Sequence, residues 1–315
     1  MKNTNKVSKI PVFGLIAIIT VIALTLIACN VPNDDDEDKG DGKTFTTLQA
    51  FHNWYGKQPD TTPDNPYRVK LNFKDVSMGF SGANFGLLPF ERSKKYIYLD
   101  CSGSPFTSIE SFSGCTNLTG ITIPDSVTSI GSYTFSSCTN LINITIPNRV
   151  TSIGESAFEN CTSLASIIIP NSVTSIQDQA FRYCTSLTSI TIPDSVTYLS
   201  GFNDCIGLTD ITIPNNVTTI GQLAFNSCTG LTSVTIPSNV IGIRAGAFGK
   251  TNLISVTFEG TISLSSFEDM STIEGTESFP GDLRNKFYET DQDNGTPGTY
   301  TRPDTSSTTW TKISG

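Results

Sequence analysis

A pattern of hydrophobic and polar positions repeats about every 23 residues through the middle of the chain. Cysteines mark the repeat at spacings of 23, 23, 23, 21 and 23 residues, as Cys115, Cys138, Cys161, Cys184, Cys205 and Cys228. Leucines follow the same period, as Leu118, Leu141, Leu164, Leu187, Leu208, Leu231 and Leu253. A fixed period in this range predicts stacked units, because one unit of this length cannot bury its hydrophobic face alone.

The order of residues within one unit predicts its shape. Near the end of the first strand, Ile121 and Ile123 point inward and Thr122 points outward, since strand side chains alternate between faces. Pro124 ends the strand because it has no N–H to donate to the ladder. A second extended piece follows, and Phe135 then closes the unit from a short helical or 3₁₀ turn.

The period and the L-x-x-L-x-L pattern are typical of leucine-rich repeats. We therefore predict a right-handed leucine-rich-repeat solenoid, β-rich, with short helical or 3₁₀ turns on its convex side and α/β caps at its ends. About seven coils fill residues 99–258. The unit between Cys184 and Cys205 is two residues short, and the regular array is expected to stop near Phe258.

Both ends of such a stack would expose the core, so caps are required. Residues 45–98 are predicted to form a helix–strand–helix cap, and residues 259–315 the C-terminal cap. The elements expected in the first cap are a helix over 48–54, a strand over 67–73 and the strand of the first coil over 96–99. In the second cap we expect a short helix over 282–288 and a final strand over 308–313.

Residues 1–28 have the pattern of an export signal. Three lysines precede an apolar run that ends in Leu26, Ile27 and Ala28. With Cys29 next, this segment resembles a bacterial lipobox, which implies cleavage before Cys29 and a diacylglyceryl group on its sulfur. An ordinary signal peptide and an uncleaved membrane helix are the alternatives.

Residues 29–44 are strongly acidic, with six acids and one lysine between positions 33 and 42. Such a run cannot bury a core and stays extended. We interpret it as a flexible tether that holds the folded part off the membrane. A sorting signal for the outer leaflet is the alternative, and the two are compatible.

Composition narrows the chemistry of the folded part. The net charge is −9 and the pI about 4.6, so no basic footprint for nucleic acid is present. His52 is the one histidine, and no cysteine of the repeat has a second metal ligand travelling with it. We expect no catalytic residue, no cofactor and no metal.

The cysteine column is interpreted as six buried structural thiols. Neighbours one coil apart would have nearly parallel Cβ vectors, which suits a disulfide poorly. Cys101 lies outside this column in an expected loop, so it is predicted to be the most reactive thiol.

Two outward surfaces are candidate binding sites. The first comprises strand residues on the predicted concave face: Thr122, Asn143, Thr145, Ser166, Ile168, Ser189, Thr191, Asp210, Thr212, Ser233 and Thr235. The second comprises residues that interrupt Ser and Thr positions on the convex side: Arg149, Arg182, Tyr183, Tyr198 and Arg244. Threonine ladders are also simply good exposed-strand residues, so a purely structural role is the alternative.

The repeated motif Phe-x-x-Cys-Thr-x-Leu-Thr-x-Ile-Thr-Ile-Pro-x-Ser-Val-Thr-x-Ile-Gly resembles the BspA-like leucine-rich-repeat family, with treponemal-type repeats. The flanks over 96–104, 279–284 and 298–302 are similar to that family as well, so the resemblance covers residues 45–315. It implies a lipid-anchored surface protein that binds host extracellular-matrix or bacterial surface proteins as an adhesin. Glycan capture for nutrition and a purely structural spacer are the alternatives.

Overall fold

The structure is a computed structural model that describes residues 43–72, 95–109, 111–267 and 277–314. The predicted signal peptide, Cys29 and almost all of the predicted tether lie outside the described residues. The second helix predicted for the N-terminal cap falls outside them as well. Among the helices of the described residues, none is long and apolar enough to cross a membrane.

The described elements are mostly short strands. In chain order they are β1 (Lys43–Phe45), α1 (Leu48–Tyr55), β2 (Tyr67–Leu71), β3 (Ile97–Asp100), β4 (Leu118–Thr122), β5 (Ser129–Ile130), β6 (Asn143–Thr145), β7 (Ser152–Ile153), β8 (Ser175–Ile176), β9 (Tyr198–Leu199), β10 (Thr219–Ile220), β11 (Ser233–Ile236), β12 (Gly242–Ile243), β13 (Ser255–Phe258), a 3₁₀ turn (Leu264–Ser266), α2 (Leu283–Phe287), β14 (Gly298–Thr301) and β15 (Thr311–Ser314).

The chain winds as a leucine-rich-repeat solenoid, as the sequence predicts, with about eight turns where the sequence indicates about seven. The first strands of successive coils pair in parallel, with Ile121 opposite Ile144. Between β6 and β11 this pairing narrows to single bridges, at Ile168–Thr191 and Thr191–Thr212. The second strands form two parallel ladders of their own, β5-β7-β8 and β9-β10-β12. The register is always one coil, so equivalent residues stack on one another.

A ladder of phenylalanine rings runs up the inside of the convex side. Its members are Phe112, Phe135, Phe158, Phe181, Phe202, Phe225, Phe248 and Phe279, with successive ring centroids 4.8–5.6 Å apart. Every ring is buried. Stacking at this distance gains dispersion energy beyond the area removed from water. The last ring, Phe279, lies beyond the predicted end of the regular array.

The convex turns differ from the short helical or 3₁₀ turns that the sequence led us to expect. Between the second strand and the cysteine, each regular coil forms hydrogen-bonded turns without helix. Left-handed residues interrupt helical winding, for example Ser156 and Asn160 with φ of 51° and 60°. The backbone bonds run to the next coil instead, such as Phe135 N–H to the Ala157 carbonyl at 2.8 Å.

The N-terminal cap contains the predicted helix and strand and one further strand. Thr47 caps α1 by accepting a hydrogen bond from the Ala50 N–H at 3.2 Å. Buried Phe51 stacks on Tyr55, with ring centroids 5.4 Å apart. Strand β1, which the sequence analysis missed, pairs with β2 and so adds an edge strand to the first sheet within the cap.

The C-terminal cap closes the stack with an antiparallel hairpin. Strand β14 pairs with β13 and β15 pairs with β14, both antiparallel. The predicted helix and last strand form, as α2 and β15, whereas β14 was missed. Buried Arg302 donates from Nε to the Leu253 carbonyl at 2.6 Å and lies over the Trp310 ring at 5.3 Å. The hairpin thereby covers the edge on which another coil would stack.

Replacing one ring of the ladder should destabilise the whole stack. Phe181 lies 5.2 Å from both Phe158 and Phe202, so F181A opens a cavity that two coil interfaces share. We expect a loss of about 3–5 kcal/mol in the free energy of unfolding, measured by urea denaturation. The exposed control Ile241→Ala should change it by less than about 0.5 kcal/mol. A loss below about 1 kcal/mol for F181A would contradict the ladder's role.

Candidate functional site

The concave face, defined here as the outward residues of the first strands, is a surface of hydroxyl side chains. Its backbone alternates as predicted: Ile144 is buried and Thr145 exposed, and the next four coils repeat this order. The outward residues from Asn143 to Thr235 are all exposed, as Asn143, Thr145, Ser166, Ile168, Ser189, Thr191, Asp210, Thr212, Ser233 and Thr235. The structure therefore brings these predicted residues together on one surface.

Ile168 differs from every other member of the concave face. Its side chain is 83% exposed, the most exposed large hydrophobic of the described residues. Exposed hydroxyls flank it on both neighbouring coils, at Thr145 and Thr191. One apolar side chain thus stands near the centre of a polar surface.

Thr122, at the N-terminal end of the concave face, is partly covered. The Tyr98 hydroxyl is hydrogen bonded to the Thr122 hydroxyl at 2.8 Å. The Tyr98 ring lies over Gly120, where an added Cβ would come within 2.3 Å of it. Tyr98 was not among the predicted site residues, although its position beside Gly120 follows from the parallel register of β3 and β4.

At its C-terminal end the concave face becomes a cleft. Strand β14 adds two threonines to the face, and Thr257 and Thr299 are hydrogen bonded through their hydroxyls at 3.0 Å. A cavity of about 440 Å³ lies against the last three coils. Its polar lining is Asp210, Thr212, Asn215, Ser233, Thr235, Ser255, Thr257 and Glu259. Glu259 stands where the regular coils have proline, and that departure was the signal that could have identified it.

The predicted convex residues do not form one patch. Arg182 lies over the Tyr183 ring at 4.6 Å and forms ion pairs with Glu159 at 3.7 Å and Asp204 at 3.4 Å. Tyr198 belongs to the second strand of its coil and lines a separate cavity. Arg149 and Arg244 are exposed on other coils. This side therefore presents two local clusters.

The repeat cysteines are buried thiols, Cys115, Cys138, Cys161, Cys184, Cys205 and Cys228. From the second onward, each donates its S–H to the carbonyl of the phenylalanine one coil and three residues earlier, at Sγ–O distances of 3.0–3.3 Å. Burial raises their pKa values, to about 12 for Cys115 and Cys205. These thiols stay protonated donors at neutral pH.

The prediction that Cys101 is the most reactive thiol is wrong. Its side chain is fully buried, and its N–H bonds to the Thr122 carbonyl at 3.0 Å as a continuation of β3. Burial, together with the nearby Asp100 carboxylate, raises its pKa well above the usual value. A neutral buried thiol is a poor nucleophile.

The repeats match a known family model. The model of the BspA-type leucine-rich repeat region matches six copies over residues 107–201 and 200–279, more than half of the 315 residues. The chain belongs to the BspA-type leucine-rich-repeat family. Leucine-rich-repeat proteins generally bind other proteins, through the extended surfaces that repetition creates, and typically serve as non-catalytic scaffolds.

Solved structures of bacterial leucine-rich-repeat proteins resemble this BspA-type chain. The T. pallidum protein is 28% identical and covers 55% of this chain and 83% of its own, with a TM-score of 0.48. A Bacteroides ovatus protein is also 28% identical, covering 56% and 52% with a TM-score of 0.42. A leucine-rich cell surface protein of Faecalibacterium prausnitzii is 18% identical, covering 80% and 90% with a TM-score of 0.30. No curated protein matches the chain.

The buried thiols should make the fold sensitive to alkaline pH. Because the folded-state pKa is raised from 9.0 to about 12, the Cys205 contribution is constant below pH 9 and is lost as pH rises through 12. At about pH 10.5 we expect a loss of about 2 kcal/mol for this thiol, relative to pH 8. Urea denaturation of the parent and of Cys205→Ala measures it, since the variant should lose about 2 kcal/mol less over this range. Identical pH profiles would contradict the protonated-donor role.

Proposed function

We propose that this BspA-type chain is a surface-anchored adhesin that binds host matrix proteins or the surface proteins of other bacteria through its concave face. The family supports a protein-interaction module. The Cys29 lipobox supports a lipid anchor that displays the module on the outer membrane or cell surface. Two acyl chains anchor a protein stably, and the acidic residues 29–44 then act as the tether.

The exposure of Ile168 carries this proposal. A side chain that is 83% exposed on a stacked strand gains nothing for the fold, whereas it gains about 1.5–3 kcal/mol when a partner buries it. Interface hot spots lie near the centre of the contact surface, surrounded by residues that exclude water. The hydroxyls on the neighbouring coils fit that surrounding role.

Catalysis has no support on the concave face. Its side chains are hydroxyls and amides apart from Ile168 and Asp210, and the single histidine, His52, belongs to helix α1 of the cap. A hydroxyl nucleophile needs an adjacent base. We therefore propose a binding protein that carries out no reaction and needs neither metal nor cofactor.

Glycan capture is the second candidate, and the C-terminal cleft favours it. This cavity is lined mainly by hydroxyls, with Asp210, Asn215 and Glu259 as further hydrogen-bonding groups. The hydroxyls and the Asn215 amide can both donate to and accept from sugar hydroxyls, and the two carboxylates can accept from them. A glycan would bind at this cleft, and its affinity would not depend on Ile168.

The substitution Ile168→Asp should weaken binding to a protein partner. A desolvated charge would replace the apolar contact, so we expect at least about a tenfold loss of affinity. The measurement is binding of the full chain to a panel of immobilised host matrix proteins and to whole cells of other bacteria. Ile241→Asp, at a position 62% exposed on another face, is the matched control and should bind as the parent does.

The outcomes separate the two candidates. Equal binding by the Ile168 and Ile241 variants would show that the centre of the concave face is not part of the protein interface. Binding of the parent protein to a glycan array would favour glycan capture, provided that Glu259→Gln abolishes this binding and Ile168→Asp does not.

The substitution Cys29→Ser should release the protein from the membrane. Without the thiol no thioether-linked lipid can form, so the chain should move from the detergent phase to the aqueous phase on phase separation. Mass spectrometry of the mature parent should show the added lipid at Cys29. Protease shaving of intact cells should then remove the repeats of the parent. A membrane-bound parent that still carries residues 1–28 and no lipid at Cys29 would indicate an uncleaved helix instead.

A further inference from the structure

A notch on the flank of the solenoid, away from the concave face, arises where the repeat loses two residues. In the regular coil before it, four residues lie between Ile176 and Phe181, whereas only Ser200 and Gly201 lie between Leu199 and Phe202. In a regular coil, the carbonyl of the second of these four residues accepts a backbone hydrogen bond from the previous coil. The Asp178 carbonyl, for example, accepts one from the Ser156 N–H at 3.2 Å. The shortened coil has no residue to make that bond with Gln179.

The opening is a cavity of about 410 Å³. Its lining is Glu155, Ser175, Ile176, Gln177, Asp178 and Tyr198. The Tyr198 side chain is 42% exposed. Its hydroxyl lies over Gly221 of the following coil, where an added Cβ would be 2.5 Å from the hydroxyl oxygen. The cavity therefore opens on the opposite side of the Tyr198 ring. The aromatic ring thus forms one wall and two carboxylates lie among the other lining groups.

Three departures from the repeat converge on this notch. Tyr198 stands where three preceding coils have serine, namely Ser129, Ser152 and Ser175. Gln177 stands where the two preceding coils have glycine. The two-residue deletion is the third departure. In a repeat protein the recurring residues serve the stack, so departures that meet in space are not explained by stacking.

The charges of the notch are uncompensated by any basic group in its lining. Asp178 accepts a hydrogen bond from the Ser200 hydroxyl at 2.6 Å, which fixes the carboxylate without neutralising it. Neither lysine nor arginine is among the described residues that line the cavity. Arg182, on the same coil as Asp178, forms its ion pairs with Glu159 and Asp204. A cation is therefore the ligand that this site attracts most strongly.

We propose that the notch binds a lysine or arginine side chain of a partner protein, between the Tyr198 ring and the carboxylates of Glu155 and Asp178. The ring face attracts a cation through its quadrupole, and the carboxylates attract its charge. The net charge of −9 adds long-range attraction for a basic partner. This site is separate from the concave face, so its test does not depend on the function proposed for that face.

The test titrates the full chain with a capped five-residue peptide that has lysine at its centre and glycine elsewhere. Its arginine and norleucine counterparts are titrated in parallel, and methyl glucoside is the neutral sugar probe. The lysine and arginine peptides should bind, and the other two probes should not. Tyr198→Ser and Asp178→Asn should each weaken binding about twofold to fivefold. Tyr183→Ser and Asp194→Asn, at exposed positions outside the notch and outside the concave face, are the matched controls and should bind as the parent does.

A fifth variant fills the notch without removing any of its groups. It inserts Gln-Ser between Ser200 and Gly201, which gives the shortened coil the length of the regular coils and adds no charge. We expect loss of peptide binding with a thermal midpoint equal to or above that of the parent. Undiminished peptide binding by this variant would overturn the proposal. So would equal binding of the norleucine peptide, or binding of methyl glucoside in place of the lysine peptide.

Discussion

The parallel backbone ladder between adjacent coils is the constraint on which the rest of the structure depends. It joins coils at the first strand, at the second strand and at the convex turn, and each connection has the same one-coil register. Because the register does not shift through the regular coils, each inward residue there must pack on its own counterpart. Phe158 and Phe181 therefore stack nearly parallel, with an angle of 6° between their rings. The buried thiols obey the same rule, and each bonds to a carbonyl of the coil before it.

This constraint also separates the positions that can vary from those that cannot. A change of volume at an inward position is felt by two neighbouring coils, whereas an outward side chain meets only solvent or a partner. A change in the length of a coil destabilises the stack more, since it removes a backbone hydrogen bond from the preceding coil. The shortened unit does this at Gln179. Ile168 and Tyr198 are departures of the permitted kind, and both lie at exposed positions. Both of the binding surfaces that we propose therefore include positions where the repetition fails on the outside.

The sequence predicted the coils and the concave face because repetition shows the same alternation many times over. It did not predict β1 and β14, each of which occurs once and has little apolar pattern, and whose pairing is set by distant strands. The non-helical turns were missed because their left-handed residues, such as Ser156 and Asn160, are not glycine. Cys101 was misjudged because its polar sequence neighbours indicate a loop, whereas the register of β3 buries it. Tyr98 and Glu259 were missed at the concave face because they come from irregular coils.

The dimensions of the concave face limit what can bind there. Six coils, from Asn143 to Ser255, span about 24 Å at the usual separation of strands, and the two outward columns lie about 7 Å apart along each strand. Their area is on the order of 200 Å², well below the roughly 800 Å² that each partner contributes to a standard interface. Tyr98 and the β14–β15 hairpin prevent extension at either end. A globular partner must therefore contact the flanks of the coils as well, whereas an extended segment fits the concave columns alone.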